Sequence, residues 1–391
     1  MQIRAFLRKH AMPLVALLAA AISCFFVKPD AEYASYIDVN TLACLASVLA
    51  VVGSLRTTGA IEALAHRITR ICKNPYTLVC AIIATTGIIS MFATNDMTLL
   101  ALLPLSAAAL LAEKKAELIA PTFVLQGLAA NLCGMLLPFG NPQNIYLSGR
   151  YSIDFGSFVS TMALPFLSSC VIIALMSIII MHIHKSRSQT QSQNEPHEGL
   201  CVETAYDAHR LCQWAVLGVL LGLSIAAVLR VIPAWIVLVI VCVVLILLFR
   251  NLEPIKNIDW GLLITFAAFF VFSGNVGRIG AVTQFFTGWM DAGACVPAAL
   301  LSQVISNVPS SLVLAPFTND WQGLLTGVNI GGAGTPVGSL ATLIVISQFN
   351  LLVKSLPAAS RPPLQAKRFM PLLLGLNVIA LILLLPLSLT L

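Results

Sequence analysis

The stretch TNDMTLLALLP at residues 94–104 returns, altered but in register, as SNVPSSLVLAP at 306–316, and both copies lie in a chain apolar enough to live in lipid. Thr94 answers to Ser306, Asn95 to Asn307, Leu100 to Leu312, Leu102 to Leu314 and Pro104 to Pro316. A second matched pair follows each copy: NLCGMLLPFGNPQN from 131 and NIGGAGTPVGSLAT from 329, agreeing at Asn131/Asn329, Gly134/Gly332, Pro138/Pro336 and Gly140/Gly338. Polar, Gly- and Pro-broken segments at corresponding places of an internal duplication point to a binding site near the middle of a membrane, built from both halves, as in secondary transporters.

The lipid setting follows from composition. Of 391 residues, 58% are hydrophobic and 10% charged, against roughly 25% charged in an average soluble domain, and the mean hydropathy is +0.92. Apolar runs long enough to cross about 30 Å of hydrocarbon as helices fall at 11–27, 39–55, 157–182, 213–230, 234–250, 258–275 and 369–390, and two more crossings, 118–149 and 322–353, are interrupted by Gly and Pro. The fold class is therefore an all-α membrane protein. The first run reads as a retained span, since no small-residue cleavage site follows it. The ten cysteines form no C-x-x-C pair and sit mostly in apolar spans as small hydrophobes, and the histidines make no ligand set, so no cofactor or structural metal is expected.

Charge sorts the connections. With a cytoplasmic N-terminus, nine spans and two hairpins (76–112 and 294–317) that enter and leave on one side, eighteen of the 22 lysines and arginines fall inside, and only Lys28, Arg150, Arg230 and Arg278 outside. The C-terminus is then outside. The first unit begins outside and the second inside, which makes the repeats inverted. Their opening helices agree at a constant offset, with I-D at 37 and 258, Gly53 with Gly274, and G-A at 59 and 280. After Gly59, IEALAHRITRICK is apolar on one face and basic on the other, as a helix lying along the cytoplasmic interface would be. The expected organisation is an N-terminal transmembrane helix (1–36), a first repeat with its following helix (37–182), a cytoplasmic polar linker (183–212), two connecting helices (213–257), the second inverted repeat (258–354) and a C-terminal helix (355–391).

Irregular backbone survives at membrane depth only where protein or a hydrated cavity surrounds it. Such breaks occur at the hairpin tips Thr94-Asn95-Asp96 and Ser306-Asn307-Val308-Pro309, and at the broken helices Pro138–Pro142 and Gly331–Pro336. Helix starts exposed there favour anions and helix ends favour cations. Thr94, Asn95, Asn141, Asn144, Ser306, Asn307, Thr335 and Ser339 add uncharged oxygens and amides, a set suited to an anion or polar solute beside a coupling cation. Asp96 is the sharpest single residue, an acid on a hairpin tip expected to reach the membrane interior. It suits proton exchange or, among neighbouring oxygens, cation binding; the structural alternative is that it caps the helix that follows.

These segments resemble the ion transporter superfamily, which includes arsenite permeases, divalent anion/sodium symporters, citrate/metal transporters and one class of sodium/proton antiporter: TNDMTLLALLP resembles the first-repeat signature of its arsenite-permease-like branch, GNPQN the broken-helix loop, and SNVP with GTPVGSLAT the second-repeat equivalents. The resemblance covers about 37–354. It implies two inverted units, each with a re-entrant hairpin and a broken helix, an elevator-like movement and commonly a homodimer. Carried over by position, it implies a first ion-side cluster of Thr94, Asn95, Gly140 and Asn144, a counterpart of Ser306, Asn307 and Gly338, with Thr335 and Ser339 near the solute and Asn141 and Pro142 shaping the first broken helix. A sodium ion is expected at Thr94, Asn95, Asp96 and Asn144. Both hairpin tips depart from the Ser-Asn-Thr of carboxylate-transporting relatives at their third position, where Asp96 and Val308 stand.

The expectation is a secondary transporter of a small inorganic or organic anion in the plasma (inner) membrane, coupled to H+ or Na+. No Walker A sequence is present, so ATP-driven pumping would need an accessory ATPase subunit, and no nucleic-acid partner is expected. The rival within transport is a sodium/proton antiporter. From other classes come a channel and an intramembrane enzyme using Asp96 or Ser306, although G-x-S-x-G, H-E-x-x-H and paired intramembrane aspartates are missing from the sequence.

Overall fold

Unpaired backbone groups are costly in hydrocarbon, and the chain meets that constraint with helices. The computed structural model describes residues 11–69, 74–188, 208–256, 258–356 and 366–388, and all the regular structure within them is helical. The first half contains α1 (Ala11–Phe26), a short α2 (Tyr33–Tyr36), α3 (Val39–Thr57), α4 (Ala60–Thr69), α5 (Pro75–Ser90), α6 (Asn95–Ala112), α7 (Ile119–Cys133), α8 (Pro142–Arg150) and α9 (Phe155–Ser188). The second half contains α10 (Ala208–Val228), α11 (Ala234–Phe249), a short α12 (Glu253–Lys256), α13 (Trp260–Gly277), α14 (Gly280–Met290), α15 (Cys295–Ile305), α16 (Asn307–Leu314), α17 (Trp321–Ile330), α18 (Leu340–Ser355) and α19 (Ala366–Ser388). Seven helical segments among the described residues are long and apolar enough to cross a membrane. The all-α membrane architecture read from the sequence is the one observed.

The shared I-D pairs explain themselves as helix caps. Asp38 accepts the Thr41 amide at 3.0 Å to start α3, and Asp259 accepts the Leu262 amide at 3.0 Å to start α13. These two opening helices run in opposite directions. Tyr36, just ahead of α3, lies against Gly274 in the last turn of α13, and Arg278 beyond that turn donates to the Tyr36 hydroxyl at 3.0 Å. Arg278 also pairs with Asp30 at 2.8 Å and Glu32 at 3.1 Å. The guanidinium holds the Asp30 carboxyl below its ordinary range. The start of α3 and the end of α13 therefore share one end of the molecule, as an inverted repeat requires.

The duplication reaches further than the sequence reading took it. α4 follows α3 after Gly59, whose φ of +77° ends the helix in the left-handed region. α14 follows α13 at the corresponding place, although its sequence GAVTQFFTGWM has no basic face. That lack of charge is why it escaped notice. Residues 70–73, the last of the expected interfacial helix, and 189–207, the middle of the polar linker, lie outside the described residues. Helix continues into both ends of that linker, since α9 runs to Ser188 and α10 begins at Ala208.

Each repeat then makes a helical hairpin and a broken helix. The first hairpin is α5 and α6, turning through Met91–Thr94, and the first broken helix is α7, one turn of 3-10 helix (Gly134–Leu136), an extended stretch and α8. The second hairpin is α15 and α16, turning on Ser306 alone, and the second broken helix is α17, a turn over 331–339 and α18. The starts of α15 and α17 are tied together, because Asp320 caps α17 through the Gly323 amide at 2.9 Å and also accepts the Ala294 amide at 2.8 Å.

Lipid offers helices no hydrophobic reason to associate, so close approach of small residues does more of the work. Between α15 and α17 the contact is made by Ala298, Ala299, Ser302, Gly327 and Gly331, and between α5 and α7 Gly87 sits on Ala129 and Cys133. A β-carbon on Gly327 would overlap the Cys295 carbonyl and stand 2.8 Å from the Ala298 β-carbon, whereas Gly218 on α10 has open space around it. Gly327→Ala is expected to destabilise by about 1–3 kcal/mol through overpacking, seen as a lower melting temperature of the detergent-purified protein, while Gly218→Ala leaves that temperature unchanged or slightly raised.

Candidate functional site

The four breaks meet. Asn95, the first residue of α6, donates its side-chain amide to Asn131 Oδ1 at 3.1 Å, and Ser339, the residue capping α18, donates its hydroxyl to the same oxygen at 3.1 Å. On the other side, Asn329 Oδ1 accepts from Gln143 at 3.2 Å and Asn141 at 3.5 Å, while Asn329 Nδ2 donates to Asn144 Oδ1 at 2.7 Å. Asn131 and Asn329 are matched positions of the two repeats, and each reaches across into the broken helix of the other. The second hairpin joins through the Asn307 amide, which donates to the Gly338 carbonyl at 3.0 Å. Asn95, Asn131, Asn141, Gln143, Asn144, Ser306, Asn307, Asn329 and Ser339 are all buried.

This geometry gathers two kinds of helix end. The N-termini of α6, α8, α16 and α18 carry partial positive charge, favourable to an anion, and in the second repeat the Asn307, Val308 and Ala341 N–H groups are already bonded. The ends of the preceding segments supply carbonyls, favourable to a cation. A β-carbon on Gly134 would stand 2.6 Å from Asn95 Oδ1, 3.1 Å from the Ser90 carbonyl and 3.4 Å from Asn141 Oδ1. Three oxygens thus converge on a point that only glycine leaves open. Among the described residues Thr94 Oγ1, Asn95 Oδ1 and Asn141 Oδ1 have no hydrogen-bond partner. Buried acceptors are normally paired, so such a cluster calls for a positive ligand. Gly140 belongs to the same wall, its α-carbon backed by the Gly134 carbonyl, with the Met91 carbonyl 3.3 Å from where its β-carbon would stand.

Asn144 is committed elsewhere. Its amide donates to the Met135 and Leu137 carbonyls at 3.2 and 3.1 Å and its oxygen accepts Asn329, so it braces the break of the first broken helix. Asp96 lies in the first turn of α6, half-buried, and makes no hydrogen bond or ion pair with the described residues. It therefore caps nothing by hydrogen bond; its carboxylate still suits the N-terminal turn electrostatically. Nearby, Arg56 approaches the Met97 sulfur at 3.9 Å.

In the second repeat Ser306 has φ +77° and ψ 154°, a region that side chains rarely adopt, so the hairpin turns on a strained residue. Asn307 Oδ1 accepts its neighbour's amide, Val308 N, at 2.9 Å, and Ser339 Oγ accepts Ala341 N at 3.2 Å. Thr335 is held by Gln303, its amide donating to Oε1 at 2.8 Å and its hydroxyl to the Gln303 carbonyl at 2.9 Å. Asn131, Gln143, Gln303 and Asn329 were not among the expected site residues. The matched pair Asn131/Asn329 was visible in the duplication; Gln143 and Gln303 stand where the repeats do not agree, and pattern matching passes over them.

An inverted, duplicated set of hairpins and broken helices whose polar breaks meet between apolar helices defines a membrane transporter. The citrate transporter family model matches residues 5–320, and the chain belongs to that family. The match ends as the second broken helix begins. Among curated relatives, the inner membrane protein YbiR of Escherichia coli is 27% identical over 348 residues, covering 86% of this chain and 87% of its own. An uncharacterized transporter of Methanocaldococcus jannaschii is 25% identical over 318 residues, covering 80% and 82%. One from Synechocystis is 26% identical over 352 residues, covering 83% and 75%. Family and relatives alike point to a transporter rather than an enzyme.

Replacing Asn329 with Ala leaves Asn144 Oδ1 and the Asn141 and Gln143 amides without their partner. Stranding buried polar groups costs about 1–3 kcal/mol each, so Asn329→Ala is expected to lower the thermal midpoint and impair transport together.

Proposed function

We propose that the chain is a cation-coupled secondary transporter of a small anion in the inner membrane, with N-terminus cytoplasmic and C-terminus outside, working as a homodimer by an elevator-like movement. The observation that carries this reading is the group of unpartnered oxygens Thr94 Oγ1, Asn95 Oδ1 and Asn141 Oδ1 beside four converging helix N-termini. Amide and carbonyl oxygens are poor bases, so a metal cation such as sodium suits them better than a proton. The N-termini then suit an anion, which the cation helps to balance, since the surrounding polar network has no Lys or Arg of its own. The family description names citrate, which makes a carboxylate the first solute to test.

The movement has two supports. The arms of the second hairpin, 11 and 8 residues long, rise only about 16 and 12 Å at 1.5 Å per residue, too little to cross the hydrocarbon, as a re-entrant hairpin requires. The buried apolar residues also fall into two clusters, one centred on α3, α10, α11 and α13 and the other on α5, α6, α7, α9, α18 and α19. An elevator-like movement would run along the boundary between them, through α5, α6, α9, α15 and α17, which contribute to both.

In proteoliposomes, an inward sodium gradient is expected to drive citrate uptake. Sodium should also raise the melting temperature, since a ligand at a hundred times its Kd stabilises the folded state by about 2.7 kcal/mol. Asn95→Ala and Asn141→Ala should abolish that rise while leaving folded protein. Sodium-driven proton movement with no anion present would favour the antiporter instead.

Asp96 supports a second coupling route, because it follows Asn95 in the first turn of α6, is half-buried and makes no hydrogen bond or ion pair with the described residues. If protons travel on it, Asp96→Asn abolishes uptake driven by a pH gradient and spares uptake driven by sodium. Full proton-driven uptake by that variant removes Asp96 from coupling.

A further inference from the structure

We propose that only the first repeat binds a coupling cation, because in the second repeat the side-chain amide of Gln303 has taken the cation's place. This rests on the cation-coupled reading above. The sequence carries the hairpin tip and the broken-helix turn twice, so two cation sites are the expectation from symmetry, yet the two copies differ in how their oxygens are satisfied.

Gln303 is the last-turn residue of α15, where the first repeat has Met91 at the matching position, three residues ahead of the tip in each case. Its Nε2 donates to three carbonyls, Gly331 at 2.7 Å, Ala299 at 3.0 Å and Ala333 at 3.1 Å. Its Oε1 accepts the Thr335 amide at 2.8 Å, which fixes the orientation of the carboxamide, with oxygen toward the N–H and nitrogen toward the carbonyls. A partly positive NH2 surrounded by backbone carbonyls from a helix end and a broken-helix turn is the electrostatic equivalent of a bound cation. The space is used up as well. A β-carbon on Gly334 would overlap Gln303 Oε1, and one on Gly338 would stand 3.3 Å from it. The Met91 side chain has no N–H to offer, and around its tip Asn95 Oδ1 and Asn141 Oδ1, without partners among the described residues, face the Gly134 position beside the Ser90 carbonyl.

The counterparts of the unpartnered oxygens tell the same story. Thr94 Oγ1 is unpartnered, but Ser306 Oγ reaches Asn307 Oδ1 at 3.4 Å. Asn95 Oδ1 is unpartnered, but Asn307 Oδ1 accepts the Val308 amide. Asn141 Oδ1 is unpartnered, but Ser339 Oγ is bonded both to Asn131 and to Ala341. Within the second hairpin and its broken helix, Ser310 Oγ is the one fully buried side-chain oxygen without a partner among the described residues, and a single hydroxyl does not hold an ion.

Sodium chloride titrated into purified full-length protein in choline buffer, read by calorimetry and by melting temperature, tests this. Wild type should take up one sodium per chain with a Hill coefficient near one, and Gln303→Met should gain a second. Asn95→Ala, in the wild-type background, should lose sodium binding altogether. Two sodium ions in the wild type, a folded Gln303→Met still binding one, or sodium binding that survives Asn95→Ala and falls with Asn307→Ala would each overturn the proposal. If Gln303→Met does not fold, the wild-type stoichiometry and the Asn95→Ala result decide alone. No sodium binding by the wild type would defeat the sodium-coupled reading itself, and this inference with it.

Discussion

A helix interrupted inside hydrocarbon frees backbone donors and acceptors that water cannot satisfy, and this structure is organised around answering that demand. Two hairpins and two broken helices bring their breaks to one place, where each can serve the others. Asn131 and Asn329 are the clearest instances, since each stands in one repeat and satisfies groups from the opposite one. Each repeat ties the freed carbonyls of its own broken helix, through Asn144 in the first and Gln303 in the second, while the bonds between the two broken helices run from side chain to side chain. The pairing of inverted halves is thus enforced by polar groups that have nowhere else to go, while small residues such as Gly87, Gly127 and Gly327 let the helices approach closely enough to deliver them.

The same demand separates structural from functional polar groups. Asn144 and Gln303 are saturated and act as braces, tying carbonyls at the two broken helices. Thr94, Asn95 and Asn141 each keep an oxygen without a partner. A low-dielectric interior makes a filled network rigid and an unfilled acceptor expensive, and the oxygens left over are the ones on which the proposed ion site rests. The two halves share a repeated pattern in sequence, yet differ in which of its oxygens are satisfied.

Much of this was legible beforehand. The hairpin tips were identified by repeated order, because Thr94/Ser306 and Asn95/Asn307 retain their spacing, and the broken helices by glycines and prolines clustered within a span at matching places of the two halves. What stayed hidden had no repeat to announce it. Gln303 faces Met91, and Gln143 faces Ala341, so neither gains from comparing the halves. α14 has no charged face, so no amphipathic pattern marked it. Asn144, expected at the ion, turned out to be a brace, because the folded chain brings the Met135 and Leu137 carbonyls to its amide.

The amino-acid order by itself determined the solvent, the helical class, the duplication and the positions of the four breaks, since hydropathy, capping aspartates and Gly/Pro interruptions are local properties that need no partner to be read. Which oxygens are satisfied and which are left over was decided only by tertiary structure. Satisfaction is a matter of distances between residues some 200 positions apart in the chain, such as Asn131 to Ser339 and Asn144 to Asn329, and those distances exist only once the two inverted halves have closed on each other.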